Sequence, residues 1–255
     1  MGQLEGRVAA ITGAGRGIGR EHALLFASEG AKVVVNDLGG AGDGTGSDVG
    51  AAQSVVDEIQ AQGGEAVAHT EDISTWAGAE SLVAEAVERF GRLDALVNNA
   101  GILRDAFLAS MDEEQWDAVI QVHLKGHFLG MRHASEHWKQ RSKAGEQVNA
   151  AVINTASASG TYLPNAGQVN YGAAKAGIAA MSLVAAQELG RYGVRVNAIA
   201  PAARTRLTED VPLIGEMMKA PSDPDAFDPF DPAEVAPLVA YLCLLYTSPS
   251  PRDRS

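Results

Sequence analysis

Tyr171 and Lys175, four residues apart in the stretch YGAAK, are the side chains of this sequence best suited to move a proton. Positions i and i+4 of a helix share a face, so the ammonium lies beside the phenol. A neighbouring cation favours the phenolate and draws its pKa down from about 10 towards neutrality. A phenol so tuned takes the proton of an alcohol while hydride leaves the adjacent carbon. The spacing alone recurs in many helices, so its surroundings must carry the assignment. Ser157 and Ser159, in TASASG, each offer a hydroxyl that can steady a substrate oxygen as charge develops on it, although Ser and Gly also end strands as plain turn residues.

A hydride needs an acceptor, and residues 12–19 read TGAGRGIG. Between a strand and a helix, Gly13, Gly17 and Gly19 let the backbone turn tightly and approach a pyrophosphate at the helix N-terminus, with Arg16 and Ile18 in the same loop. Asp37 follows 18 residues after Gly19. A carboxylate there accepts from the adenosine ribose hydroxyls and repels a 2′-phosphate, which favours NAD over NADP. Arg16 argues the other way, since a guanidinium in the loop can hold a phosphate. Asp72 and Ile73 follow a third strand, where an adenine ring can rest, and Asn99, Ala100 and Gly101 of NNAG follow a fourth. Their small size lets backbone lie against the cofactor, or makes an ordinary polar turn.

The elements that must position these groups alternate. Strands are predicted at residues 8–12, 32–37, near 67, 95–98, 152–155 and 194–199. Helices are predicted at 18–29, 51–61, 76–90, 116–139, 169–192 and 232–242, the last with Asp231 as N-cap and Pro232 at the first position. Ser110 and Glu113 suggest a capping box before the long helix. The pattern predicts an α/β fold: one Rossmann-like, doubly wound parallel sheet with helices on both faces, binding its ligand beyond the carboxyl ends of the strands. Trp76, Trp116 and Trp138 read as core. His123, His127, His133 and His137 form two i,i+4 pairs without a third metal ligand and read mostly as solvated. Proline-rich residues 201–230 suggest a substrate lid, or else a loose surface loop.

The 255 residues and 46% hydrophobic content suit one domain, expected to span residues 1–242. A net charge of −12 disfavours nucleic acid as a partner. No apolar run is long enough for a bilayer and no leader pattern is present, which predicts a cytoplasmic protein. The single cysteine, Cys243, excludes an internal disulfide and is expected to have no functional meaning. Residues 243–253, CLLYTSPSPRD, resemble translated adapter sequence from DNA libraries more than a natural Pro-rich tail. Residues 243–255 are therefore expected to replace the natural C-terminus, removing a last strand and any peroxisomal address.

With TGAGRGIG, NNAG and YGAAK in order, the chain resembles the short-chain dehydrogenase/reductase family over residues 6–242. The resemblance implies that Tyr171 is the catalytic base and that Lys175 binds the nicotinamide ribose and depresses the tyrosine pKa. It also implies a serine on the substrate oxygen, most simply Ser157, the leading serine of its motif. VVVNDLGG (33–40), NNAGILRD (98–105), VHLKG (122–126), GQVNY (167–171) and PLVAYL (237–242) resemble the (3R)-hydroxyacyl-CoA dehydrogenase branch of peroxisomal multifunctional enzymes and its bacterial relatives. That branch implies NAD-dependent oxidation of 3-hydroxyacyl-CoA thioesters. An NADPH-dependent 3-oxoacyl-carrier-protein reductase, a steroid dehydrogenase and a non-catalytic dinucleotide-binding regulator are the alternatives. Three departures stand out. His123 stands where most of the family has its relay Asn; the closer branch also has histidine there, which implies a branch feature of the catalytic site that replaces or bypasses the relay. Ser157 lies 14 residues before Tyr171, where 13 is usual, which suggests an insertion near 163–165. Pro201-Ala202 replaces the usual Pro-Gly beside the nicotinamide, with Thr205 or Thr208 available for its carboxamide. Relatives pair through their long helices, so a homodimer or homotetramer is expected, with small residues Ala173, Ala174, Gly177, Ala180 and Ala185 permitting close contact there or on the sheet.

Overall fold

Short apolar runs pair into a sheet and the segments between them wrap it. The computed structural model describes residues 2–48, 50–209, 214–223 and 226–244. In chain order the elements are β1 (Val8–Thr12), α1 (Gly17–Ser28), β2 (Lys32–Asn36), α2 (Gly50–Ala61), β3 (Glu65–His69), α3 (Trp76–Phe90) and β4 (Ala95–Asn98). There follow α4 (Glu113–Val119), α5 (Gly126–Lys143), β5 (Ala150–Thr155), α6 (Val169–Leu189), β6 (Val194–Ile199), α7 (Arg206–Glu209), α8 (Ile214–Met217) and α9 (Ala236–Leu242).

The strands form one sheet in the order β3-β2-β1-β4-β5-β6, every pairing parallel. Alternate strand residues serve opposite covers, as the two-residue period requires. Ala9, Ile11, Val33, Val35, Val97 and Ile153 pack towards α1, α2 and α9. Val8, Ala10, Val34, Leu96 and Val152 pack towards α3, α5 and α6, where Trp138 is fully buried and donates to the Leu93 carbonyl at 2.7 Å. Strand order reverses between β1 and β4, which opens a crevice at their carboxyl ends.

Several expectations need correction. The helix predicted over 116–139 is interrupted by a π-helical turn, Ile120–Lys125, between α4 and α5. Its N-cap is Asp112, boxed with Gln115, and neither Ser110 nor Glu113 takes that part. Trp76 is 52% exposed and Trp116 39%, so only Trp138 is core. Helical periodicity defines a face without saying what covers it. Nor are the four histidines solvated: His123 and His127 are fully buried, and His133 and His137 are partly so. Strand β2 stops at Asn36, leaving Asp37 just beyond it.

The segment expected to act as a lid, residues 201–230, holds the short helices α7 and α8, and Arg204 pins it through the Met218 carbonyl (2.9 Å) and the Asp228 carboxylate (2.5 Å). Of the proposed foreign tail, Cys243 and Leu244 pack on the domain. Residues 245–255 lie outside the described residues, as do 210–213 and 224–225. Burial pushes the Cys243 thiol up to about 12, which makes it unreactive. Among the described residues no helix is long and apolar enough to cross a membrane.

Candidate active site

The loop after β1 is stitched to the loop after β4. Thr12, the last residue of β1 and 1% exposed, offers its hydroxyl oxygen to the backbone amides of Asn99 (2.9 Å) and Ala100 (3.1 Å). The Asn99 amide group returns hydrogen bonds to the carbonyls of Thr12 and Gly13, both at 3.1 Å. Gly13, Arg16, Gly17 and Ile18 thereby share one wall with Asn99, Ala100 and Gly101. Gly19 is buried in the first turn of α1 behind that wall. Asp37 accepts from the amides of Gly15 (2.8 Å) and Gly39 (2.6 Å), which leaves lone pairs on both oxygens for a ribose. Asp72 and Ile73 line the same cavity, with one Asp72 oxygen capping the Ser74 amide at 2.9 Å.

Beyond this wall the cavity, about 560 Å³, reaches Thr155, Ser157, Tyr171 and Lys175, then Pro201, Ala202, Thr205, Thr208 and Met218 of the segment after β6. This volume suits a small-molecule ligand or cofactor. The groups present fit a dinucleotide: a glycine loop opening a helix, a carboxylate after β2, and the buried Thr155 hydroxyl, for which the described residues supply no hydrogen-bond partner. Thr208 spends its hydroxyl on the Ala203 carbonyl at 2.9 Å, whereas Thr205 abuts Gly17.

Ser157, Tyr171 and Lys175 meet at the carboxyl end of β5. Lys175 is 2% exposed, donates to the Thr155 carbonyl at 2.6 Å, and stands 5.5 Å from the centre of the Tyr171 ring. Burial pushes its ammonium down to about 7. The Tyr171 phenol is pushed above its ordinary value, chiefly by burial, and a hydrogen bond with Ser157 works against that rise. This runs against the expectation of a depressed phenol: loss of water around Tyr171, with the Asp105 charge acting in the same sense, outweighs the Ser157 hydrogen bond. Ser159 is turned away, its hydroxyl accepting from Asn165 at 3.1 Å, so of the two serines only Ser157 engages the phenol. Asn165 lies within the stretch where the sequence suggested an extra residue.

The π-helical turn aims His123 into this site. Its ring packs edge-on to Tyr171 with centroids 5.2 Å apart, and Nε2 meets both the carbonyl (2.8 Å) and the amide (3.0 Å) of Ile102. One nitrogen serves only one of these at a time, according to tautomer. Burial, then the charge of Lys175, pushes the imidazole down to about 3, so it stays neutral. A Cβ on Gly101 would stand 2.4 Å from the His123 Cε1, so the glycine of NNAG makes room for this ring.

Other supports were not singled out from sequence. Thr12 and Gly15 give no signal beyond their place around the glycine motif. Asn170 is fully buried: it accepts from the Tyr171 amide at 2.7 Å and donates to the carbonyls of Arg104 (2.9 Å) and Gln115 (3.0 Å). It thus anchors the start of α6, and with it Tyr171, to the loop after β4.

The description short chain dehydrogenase matches residues 7–212. The chain is 48% identical to the hydroxyacyl-CoA dehydrogenase ChsB1 of Mycobacterium tuberculosis, over 94% of this chain and 73% of that one. It is 45% identical to the peroxisomal multifunctional enzyme type 2 of Drosophila melanogaster over 94% of its own length, but spans only 37% of that protein. A crystal structure of a short chain dehydrogenase from Mycobacterium avium superimposes with a TM-score of 0.81 at 52% identity, covering 96% of this chain and 79% of that one.

Proposed function

The chain belongs to the short-chain dehydrogenase family of nicotinamide-dependent oxidoreductases, and from that premise we propose that it oxidises 3-hydroxyacyl-CoA thioesters with NAD as acceptor. The meeting of Ser157, Tyr171 and Lys175 at one end of the cofactor cavity carries this reading. Tyr171 Oη takes the hydroxyl proton of the substrate as the C–O bond becomes a carbonyl. Ser157 holds the same oxygen and keeps it oriented towards the phenol. Lys175, held by the Thr155 carbonyl, supplies the positive charge that favours the phenolate. A nicotinamide dinucleotide held by the Gly13–Gly17 loop and Asp37 would supply the acceptor for the hydride from the same carbon. His123 is a neutral prop that fixes the Tyr171 ring edge-on.

The thioester substrate is supported by the similarity to the mycobacterial hydroxyacyl-CoA dehydrogenase and by an apolar rim at the carboxyl end of the sheet. There the loops after β4 and β5 expose Phe107, Leu108, Tyr162 and Leu163, and an Ala106–Gln168 bridge ties the first loop to the entry of α6. The rim suits an acyl chain. NAD is favoured by Asp37, in agreement with the ribose role argued for its carboxylate. A homodimer or homotetramer through α5 and α6 is supported by exposed Phe128, Leu183 and Val184, with Ala173 and Ala180 also at the surface. Gly177 is instead used within the chain, against Leu124.

The test is absorbance growth from reduced cofactor on mixing the protein with NAD and 3-hydroxyacyl-CoA of several chain lengths. Tyr171→Phe should bind NAD as the parent does and lose turnover. Silence with every chain length, alongside turnover of acetoacetyl thioesters with NADPH, would reject this substrate and direction in favour of a 3-oxoacyl-thioester reductase.

A further inference from the structure

Arg16 stands in the glycine loop, one residue before α1, where a guanidinium is the natural ligand for the extra phosphate of a 2′-phosphorylated dinucleotide. In this protein its fork is already engaged. One terminal nitrogen meets an Asp48 carboxylate oxygen at 2.9 Å and the other donates to the Gly40 carbonyl at 3.4 Å. We propose that Asp48 is a specificity-determining residue, which masks Arg16 and so excludes 2′-phosphorylated dinucleotides. The proposal rests on the NAD reading above and adds a second carboxylate to the discrimination attributed to Asp37.

Asp48 is held where it is by a built loop. Residues 39–48 leave β2 and fold back until the chain touches itself: a Cβ on Gly39, which has φ +76°, would lie 2.0 Å from the Asp48 carbonyl oxygen. Only glycine tolerates both that approach and that dihedral. Further along, the Gly42 carbonyl accepts from the Leu103 amide at 2.9 Å and the Asp43 carbonyl from the Arg104 side chain at 2.5 Å. Asp43 in turn takes the amide and hydroxyl of Thr45, at 2.9 and 2.7 Å. The other Asp48 oxygen accepts from the Gly50 amide at 3.1 Å. The loop therefore delivers one carboxylate to Arg16 from one side while Asp37 stands on the Gly15 amide from the other. A phosphate dianion arriving here meets two negative charges and an arginine whose charge is offset by Asp48 and whose two terminal nitrogens are each already engaged.

The test measures dissociation constants for NAD⁺ and NADP⁺ by titration calorimetry, which needs no substrate. The wild-type ratio reports on the NAD reading, and the change on substitution reports on the mask. Arg16 and Asp48 are half-exposed, so the released binding is modest. Asp48→Ala and Asp48→Asn should tighten NADP⁺ by about five- to tenfold and leave NAD⁺ within about twofold. Arg16→Ala should abolish the NADP⁺ gain in the Asp48→Ala background and should cost less NADP⁺ affinity in the wild type than in that background. Unchanged NADP⁺ binding in both Asp48 variants, with melting temperatures matching the parent, overturns the proposal. So does an Arg16→Ala loss of NADP⁺ affinity that is as large in the wild type as in the variant.

Discussion

Thr12→Val removes one oxygen from the centre of the cofactor wall and leaves the shape nearly intact. That oxygen is the acceptor for the amides of Asn99 and Ala100, at 2.9 and 3.1 Å, and it sits on a residue 1% exposed. Valine offers no acceptor, so two amides lose their partner at once. A buried donor left unpaired costs about 1–3 kcal/mol. Asn99 and Ala100 are only partly buried, so each falls in the lower half of that range, and the pair comes to about 2–4 kcal/mol. For a domain of this size that corresponds to a melting temperature lower by roughly 4–16 °C. The NNAG turn and the glycine loop share this hydroxyl, so affinity for NAD should fall alongside stability. Thr12→Ser keeps the oxygen and should stay within about 1 kcal/mol of the parent. Urea unfolding followed by circular dichroism, paired with NAD titration, measures both quantities. A Thr12→Val protein within about 0.5 kcal/mol of the parent would refute the view that this hydroxyl ties the two loops together.

His22 lies fully buried on α1, with neither ring nitrogen paired among the described residues, and burial pushes it down to about 4. The unfolded chain, with a pKa near 6.5, binds the proton first as pH falls. Stability from this group is therefore intact above about 6.5 and lost towards 4, with about 2 kcal/mol gone between pH 7 and pH 5. His22→Leu should flatten the melting temperature over that interval, whereas an equally steep fall in the variant would show that His22 is not the group responsible. Within the active site, Ser157→Ala should lower turnover by about 10²–10³ while Ser159→Ala stays within a few fold, because only Ser157 engages the phenol. Steady-state rates with the 3-hydroxyacyl-CoA substrate separate the two, and equal losses would contradict the assignment.

What the sequence conveyed about this protein was order and identity; what it withheld was everything that depends on which surfaces meet. Most strands were legible as short apolar runs, although Glu65–His69, with a charge at one end and a histidine at the other, gave only its centre near Val67. The site residues were legible because they follow the strands at one end of a parallel sheet. The π-helical turn was not, since residues 113–143 keep a helical pattern across it and the one extra residue per turn leaves no mark in composition. Its consequence, the edge-on packing of a buried His123 on the Tyr171 ring, was for that reason not readable, although the resemblance had already placed His123 beside the reacting residues; nor was the cover over Trp76 and Trp116, which periodicity never specifies. The same limit governs the electrostatics of the central pair. The i,i+4 spacing of Tyr171 and Lys175 correctly implies proximity, and proximity alone would lower the phenol. Burial acts on both partners in the opposite sense, taking the ammonium to about 7 and lifting the phenol. An ion pair here therefore depends on acceptors gathered around the lysine, and among the described residues the Thr155 carbonyl at 2.6 Å is the one provided. Any ligand that brings further oxygens to Lys175 stabilises its charge, and through that charge favours the phenolate; the groups that hold such a ligand thus also set the readiness of the base.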